Sequence, residues 1–391
     1  MRDIRQVDLK GTRVLLRVDL NVPIFNGQVI DFTRINLIKP TIKFLRESGA
    51  RIVLMSHLGR PKGFEPALSL EFLVPVLSSC YGEKIAVSFG RDLNPQLAKD
   101  LKNGEILLLE NLRFNAGEER NCEQFAAKLA LMGDIYINDA FSCSHRKHAS
   151  IVQITNFLPS YPGLALMDEL QNLRKITGSS FKPVVIVIAG LKVSTKFAVM
   201  EELIKKCDHL IIAGAMANTF LSALGYNMGG SYVELDYINQ AKEFYYAHQS
   251  KIVLPKDLVC LVGGSDGASS NGNVKNCGIN QLSNNDNALD VGPKSVENFL
   301  SYVSKAKLLL WNGPLGYYED TNFAHGTIAF AKGISNLTKN EKLFSIIGGG
   351  DTTAALKESG EQAFSYVSSS GGAFLEWLEN PNLPGLAALG G

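Results

Sequence analysis

Short runs of Val, Ile and Leu recur along the chain, separated by longer stretches whose apolar residues return at helical spacing. In the first half they are RVLLRV from Arg13, RIVLMS from Arg51, EILLLE from Glu105 and DIYIND from Asp134. A second series follows: PVVIVIAG from Pro183, HLIIAG from His209, KIVLP from Lys251, KLLLWNG from Lys307 and LFSIIGGG from Leu343. Uninterrupted apolar runs of this length, bounded by turn residues, predict strands buried on both faces of a parallel sheet, with helices between them. Two such series predict an α/β protein of two doubly wound parallel-sheet domains, each a Rossmann-like three-layer arrangement.

Between the series, LMDELQNLRKITGSSFKP (Leu166 to Pro183) reads as one amphipathic helix ended by Gly178, two serines and Pro183. A helix joining two domains predicts a hinge rather than a floppy tether. The expected boundaries are 1–165 for the N-terminal domain, 166–182 for the hinge helix and 183–376 for the C-terminal domain. The segment VGGSDGASSNGNVKNCGINQLSNNDNALDVGPK, from Val262, is rich in Gly, Ser and Asn and reads as a loop-heavy insertion.

Composition sharpens this picture. At 391 residues the chain exceeds what one core supports, which agrees with two domains. Lysine plus arginine total 39 against 38 acidic residues, so no global basic field draws the protein to nucleic acid and any anion site must be local. Six scattered cysteines form no C-x-x-C pair, which predicts a reduced, cytoplasmic compartment. Cys122, Cys143 and Cys260 lie near polar segments without an activating base at a recognisable spacing, and are read as inert. Charges interrupt the N-terminal MRDIRQVDLKGTRVLLRV, so it is no signal-peptide core. No run approaches the roughly 18 apolar residues of a membrane span.

In open α/β sheets, ligands bind beyond the carboxyl ends of the strands. In the second half those ends carry AGLKVSTK (Ala189 to Lys196), AGAMANTF (Ala213 to Phe220), WNGPLGYYE (Trp311 to Glu319) and GGGDTT (from Gly348). Glycines there allow close backbone approach, and a helix start offers free N–H groups to phosphate. Asp351, Thr352 and Thr353 add hard oxygens of the kind a magnesium nucleotide uses. Lys192 and Lys196, at i and i+4, are expected on one helix face pointing at phosphates. The bland readings are a packing turn and a solvated lysine face. Neither a GxxxxGK[ST] loop nor a GxGxxG turn after the first strand is present, which argues against a P-loop kinase and a dinucleotide-binding fold.

The first half ends its strands on RVDLNVP (Arg17 to Pro23), SHLGRP (Ser56 to Pro61), LLENLRF (Leu108 to Phe114) and NDAFSCSHRKHAS (Asn138 to Ser150), with DFTRINLIKPTI from Asp31. If these segments share one sheet edge, Arg34, His57, Arg60, Arg113 and Arg146 converge on a small anion. Asp19 and Asn21 then read hydroxyls. Singly, each arginine is a surface charge and His145 or His148 a structural histidine; recurrence at successive strand ends favours the site.

These motifs, in this order, resemble the phosphoglycerate kinase family over nearly the whole chain. The resemblance implies an enzyme whose N-terminal half binds 3-phosphoglycerate or 1,3-bisphosphoglycerate and whose C-terminal half binds Mg-ADP or Mg-ATP, transferring the acyl-phosphate to ADP. It implies Asp19, Asn21, Arg34, His57, Leu58, Gly59, Arg60, Arg113 and Arg146 as the substrate site. Lys192, Lys196, Glu319, Gly349, Gly350, Asp351 and Thr352 are implied as the nucleotide site, with Asp351 near Mg2+ and Arg34, Lys192 and Lys196 as the catalytic cations. It further implies a monomer with no membrane or nucleic-acid partner, and a C-terminal tail of about 377–391 returning to the N-terminal domain. Ala189, Ala213 and Ala215 depart from the family's glycines near the expected adenine pocket, which each added methyl is expected to narrow, and Ser142, Cys143 and Ser144 depart from its smaller residues. A silent anion-binding scaffold and a nicotinamide oxidoreductase are the competing readings; Lys196, Asp351 and Arg34 speak against the first and the missing fingerprint against the second.

Overall fold

A computed structural model of the chain describes residues 1–82, 86–176, 181–263, 273–368 and 370–390. The chain divides into two compact units, one formed by Met1–Gln171 with Asn380–Gly391 and the other by Asn172–Glu379.

The first unit is built on six strands, β1 (Arg13–Arg17), β2 (Arg51–Met55), β3 (Val87–Gly90), β4 (Ile106–Leu109), β5 (Ile135–Asn138) and β6 (Ser160–Pro162). They pair in the order β3-β4-β2-β1-β5-β6, all parallel. The four apolar runs of the sequence are the four central strands. The two edge strands, β3 and β6, lack such a run; β6 carries Pro162, tolerable where no further partner needs its N–H. Val14, Leu16, Ile52, Leu54 and Ile137 bury one face against Ile42 and Leu45 of the helix Lys39–Glu47 and Leu73 and Leu77 of the helix Leu73–Tyr81. The C-terminal segment belongs to this unit: Gly385 N donates to Ser144 O at 2.8 Å, and the Met1 ammonium to Gly390 O at 3.2 Å.

In the second unit the strands are β7 (Val184–Ile188), β8 (His209–Ile212), β9 (Ile252–Val253), β10 (Asp257–Leu261), β11 (Val274–Gly278), β12 (Asn287–Val291), β13 (Leu308–Asn312), β14 (Phe344–Gly348) and β15 (Tyr366–Val367). Six of them form a parallel sheet in the order β9-β8-β7-β13-β14-β15. The remaining three form an antiparallel sheet, β11-β10-β12. The supposed loop-heavy insertion from Val262 therefore contains two strands, while residues 264–272 lie outside the described residues. Its strands went unseen because they bury few side chains, chiefly Cys277, Ala288 and Val291, between polar ones. Cys260, Cys277 and Ala288 pack with Leu221, Met228 and Leu258 in a separate small core.

The helix expected over 166–182 runs Leu164–Arg174; residues 177–180, with Gly178, lie outside the described residues. Its start is held by buried Asp139, whose Oδ1 accepts from Leu166 N at 2.9 Å.

Asp290, in β12, joins three elements. Its carboxylate accepts from Val291 N at 2.8 Å and from Gly326 N, in the helix His325–Lys339, at 2.7 Å. A methyl group on Gly316 or Gly326 would run into it. Burial pushes this carboxyl up to about 7. The folded chain thus holds the proton that the unfolded chain releases near its ordinary value of 3.8. Stability from this group is complete below that value and lost as pH rises through about 7. The Tm difference between the wild type and Asp290→Asn is expected to fall as pH rises from about 4 to about 8, read by calorimetry in matched buffers; a constant difference would contradict the raised value.

Candidate active site

β4, β2, β1 and β5 are parallel neighbours, so their carboxyl ends emerge on one edge, and the chain crosses from one side of β1 to the other between β4 and β5. Just past β1, Asp19 Oδ2 pairs with Arg34 Nη1 at 2.8 Å and accepts from Ser142 Oγ, beyond β5, at 2.5 Å. Asp19 Oδ1 accepts from Asn21 N at 3.0 Å. Asn21 in turn reaches the segment after β2, its Oδ1 accepting from Gly59 N at 2.8 Å, and its carbonyl accepts from Arg34 Nη1 at 2.9 Å. Arg113 donates to Gly59 O at 2.5 Å and pairs with Glu119 at 3.1 Å. Buried Asn111 knits the β2 and β4 ends together: its Oδ1 accepts from Leu58 N and Arg113 N, and its Nδ2 donates to Leu58 O. The expected convergence therefore holds for Asp19, Asn21, Arg34, His57, Leu58, Gly59 and Arg113. Arg146 is half-buried, its Nε donating to His145 Nε2 at 3.1 Å, and Arg60 stands exposed.

Burial raises the Asp19 carboxyl, but Arg34, with Ser142 and the Asn21 N–H, outweighs it and holds it below the ordinary range. His57 is pushed well below its ordinary value by burial and by Arg17, with Arg113 and Arg146 adding to the effect against Asp19. His145, buried beside Arg146, falls to about 4. Asp19, His57 and Cys143 bring one donor atom each within 4.8 Å of one another, a spacing open to a metal ion. The guanidinium of Arg17, 3.1 Å from His57 Nδ1 and 3.8 Å from Cys143 Sγ, makes that place hostile to a cation. The edge is built for an anion.

Four participants were not read from the sequence: Arg17, Asn111, Glu118 and Ser142. Arg17 did leave a signal, a charge directly after the apolar run Val14–Leu16 of a central strand. Glu118 left none, since its burial at 0% exposure depends on Ser150 and His148 from a distant segment.

In the second unit the strand ends surround a cavity of about 560 Å³. Glycines 190, 214, 230 and 316 line it, with Ala215, Asn218, Tyr232, Leu258, Tyr317, Glu319 and Asp351. Lys196 Nζ donates to Ala189 O at 2.5 Å and to Asn312 Oδ1 at 2.9 Å. Burial lowers its ammonium to about 8 despite the pull of Asp351. The GGGDTT segment turns from β14 at Gly349 into the helix Gly350–Ser359, with Asp351 exposed in the first turn.

Three expectations change here. Lys192 and Lys196 do not share a helix face: Gly190 at φ 129° and a turn over Val193 to Lys196 delay the helix to Phe197–Leu203. That turn is fastened by Ser194, which donates from its N and Oγ to Glu234, and it leaves Lys192 exposed in the loop. The hydroxyls of Thr352 and Thr353 are spent on the Gly348 and Gly349 carbonyls, each at 2.9 Å. Thr352 Oγ1, wholly buried, also accepts from Gly313 N at 2.7 Å, and of the three side chains Asp351 is the exposed one. Lastly, Ala189 and Ala213 bury their methyls in the core, and of the three alanines only Ala215 lines the cavity.

The phosphoglycerate kinase family model matches residues 4–381. Phosphoglycerate kinase of Agrobacterium fabrum is 45% identical over 392 residues, covering 98% of this chain and 96% of that protein. That of Wolbachia pipientis is 42% identical over 394 residues, covering 99% and 98%. Among solved structures, phosphoglycerate kinase from Coxiella burnetii superposes with a TM-score of 0.89 at 34% identity, covering 100% of this chain and 98% of that one. The Pyrococcus horikoshii enzyme gives 0.85 at 28% identity with the same coverage.

The two glycines at the start of the helix Gly350–Ser359 provide a matched pair for testing the turn. Gly349 sits at φ 104°, and a methyl there would lie 2.8 Å from Asn312 Nδ2. Gly349→Ala is expected to cost about 1–3 kcal/mol in urea unfolding. Gly350 faces open space, so Gly350→Ala is expected to be neutral or to gain up to about 1 kcal/mol from helix propensity. Equal losses in both would contradict the positive-φ requirement.

Proposed function

The chain belongs to the phosphoglycerate kinase family and catalyses that family's glycolytic reaction, the reversible transfer of the acyl-phosphate of 1,3-bisphosphoglycerate to ADP; from that premise we propose which residues perform it. The observation that carries the assignment is the hydrogen-bonded set at the edge of the first sheet, where Asp19, Asn21, Arg34, Gly59 and Arg113 meet, with the His57 ring within 4.8 Å of Asp19. Arg34, Arg113, Arg146 and Arg60 hold the phosphate and carboxyl charges of the three-carbon substrate, bidentate recognition being what guanidinium geometry suits. Asp19 and Asn21 read its hydroxyl, and the N–H groups around Leu58 and Gly59 border the same place. His57 donates one neutral hydrogen bond.

In the second unit the cavity takes the nucleoside, with Glu319 toward the ribose and the helix start at Gly349–Gly350 toward the phosphates. The nucleotide arrives as its magnesium complex, in which the ion neutralises and orients the phosphate oxygens. Asp351, exposed and otherwise uncommitted, is the side chain of that segment suited to the ion. In the forward direction an ADP β-phosphate oxygen, already ionised, bonds to the acyl-phosphate phosphorus. The bond from phosphorus to the carboxyl oxygen breaks, 3-phosphoglycerate leaves as a carboxylate, and no general base is required. The protein's task is to align the two and to neutralise the transferring group. Lys196 and Lys192 supply charge to the nucleotide phosphates, and Arg34 to the three-carbon substrate. Exclusion of water protects the acyl-phosphate from hydrolysis. No helix among the described residues is long and apolar enough to cross a membrane, and we place the enzyme in the cytoplasm as a monomer without nucleic-acid partners.

An assay with 3-phosphoglycerate and Mg-ATP, coupled through glyceraldehyde-phosphate dehydrogenase to NADH loss, tests the cations. Arg34→Ala is expected to lower kcat about a hundredfold or more while the Mg-ATP KM stays within a factor of about two; unchanged turnover would remove Arg34 from the transfer. Asp351→Ala is expected to weaken Mg-ADP binding by calorimetry and to leave metal-free ADP nearly unaffected. Equal losses for both would take the ion away from Asp351.

A further inference from the structure

Arg17 closes β1 at 1% exposure, an ionised side chain beneath the anion edge. Its Nε donates to Ser150 Oγ at 2.9 Å, Nη1 to Val18 O, and Nη2 lies 3.1 Å from His57 Nδ1. A guanidinium has five N–H donors and no acceptor. The contact is therefore a hydrogen bond only if Nδ1 of His57 is bare. A neutral imidazole with a bare Nδ1 carries its proton on Nε2. Adding a second proton would aim an imidazolium N–H at a guanidinium, like charge against like charge in a buried place.

We propose that Arg17 is a positioning residue that fixes His57 as the Nε2–H tautomer, so that the imidazole meets the anionic three-carbon substrate as a neutral hydrogen-bond donor. The second half of this statement rests on the assignment of His57 to that substrate.

Arg17 is held in place from behind. Ser150 Oγ, which accepts from it, donates to Glu118 Oε1 at 2.6 Å, and Ser150 N donates to Glu118 Oε2 at 3.0 Å. Tyr136 OH donates to Ser150 O at 2.7 Å, and His148 Nδ1 stands 3.6 Å from Glu118. Glu118, wholly buried, is the counter-charge; burial raises its carboxyl, but His148, Arg17 and Ser150 more than reverse this and keep it ionised. The charged and titratable groups around the guanidinium are Cys143, Glu118, Asp19 and Tyr136. Those around the imidazole are Arg17, Asp19, Arg113 and Arg146, three cations against one carboxylate. On the other side of the ring, Nε2 has no hydrogen-bond partner among the described residues although His57 is only 4% exposed. An unpaired donor left open at the edge of an anion site is a group whose partner is the ligand. Its fixed form has a use: the hydrogen stays on the nitrogen that faces the ligand, and the ring's charge does not change across the pH range in which an ordinary histidine titrates.

The test reads the ring directly. In the full chain labelled with 15N-histidine, long-range proton–nitrogen correlation spectra distinguish bare from protonated ring nitrogens, and His57→Gln identifies the signal among the six histidines. The expected pattern is a bare Nδ1 and a protonated Nε2, unchanged from about pH 6 to about pH 8. A proton on Nδ1, or a doubly protonated ring at neutral pH, overturns the proposal. Arg17→Lys, which keeps a donor, is expected to retain the pattern. Arg17→Met is expected to lose it and to raise the 3-phosphoglycerate KM about tenfold or more, with the Mg-ATP KM within about twofold and the new KM dependent on pH. An unchanged tautomer in Arg17→Met contradicts the positioning role, and if that variant does not fold, the wild-type and Arg17→Lys spectra still decide. His57→Gln with an unaltered 3-phosphoglycerate KM, beside the expected wild-type spectrum, would refute the substrate contact while leaving the tautomer assignment standing.

Discussion

Parallel strand pairing is the constraint from which the rest of this molecule follows. A parallel neighbour can be reached only by a crossover of a dozen or more residues, usually through a helix, that returns the chain to the starting edge. Every strand then ends on the same side, and the residues just after it are delivered there irrespective of their distance in sequence. Asp19, Gly59, Arg113 and Ser142 are spread over more than a hundred positions, yet they lie within one hydrogen-bonded set because β1, β2, β4 and β5 are adjacent and parallel. The chemistry could be placed nowhere else without a different topology.

The same edge carries an electrostatic burden. Several guanidinium groups crowd a site meant for an anion, and without the ligand they repel one another. Two buried carboxylates temper this. Asp19 neutralises Arg34 at the surface of the edge, and Glu118 compensates Arg17 below it through Ser150. Burial alone would favour protonating both acids; their cationic neighbours reverse that preference. Removing either carboxylate therefore leaves a buried or crowded cation uncompensated, which costs more than the pair is worth when intact.

The sequence made the sheet cores legible because a fully buried parallel strand has no polar face to disguise it: Val184–Ile188 is apolar at every position. Strands with a wet or shallow setting were not legible. Val274–Gly278 reads VKNCG and gains its place from pairing to Asp257–Leu261, a long-range partner that no local pattern announces. The anion edge was largely readable, since arginines and a histidine repeat at successive strand ends. Its supports were less so, because the role of Asn111 depends on which loops the topology brings beside it. The lysine pair shows the opposite failure: the i, i+4 spacing was real, but Gly190 at positive φ and the Ser194 contacts with Glu234 overrode helical periodicity.

On the proposed assignment of ligands, the two units meet anions by different means, and the difference follows from ligand size. A three-carbon phosphate offers charge at its ends and little surface between them, so the first unit surrounds it with side chains that carry charge. A nucleoside has faces and edges enough to fill a cavity, so the second unit recedes: glycines withdraw side chains from the wall, and threonine hydroxyls that might have served a metal are turned inward to hold the turn. The charged groups left exposed near it are few, Lys192, Glu319 and Asp351, with Lys196 half-covered and its ammonium weakened by burial. An incoming polyphosphate reverses that weakening, since its negative charge favours the protonated amine.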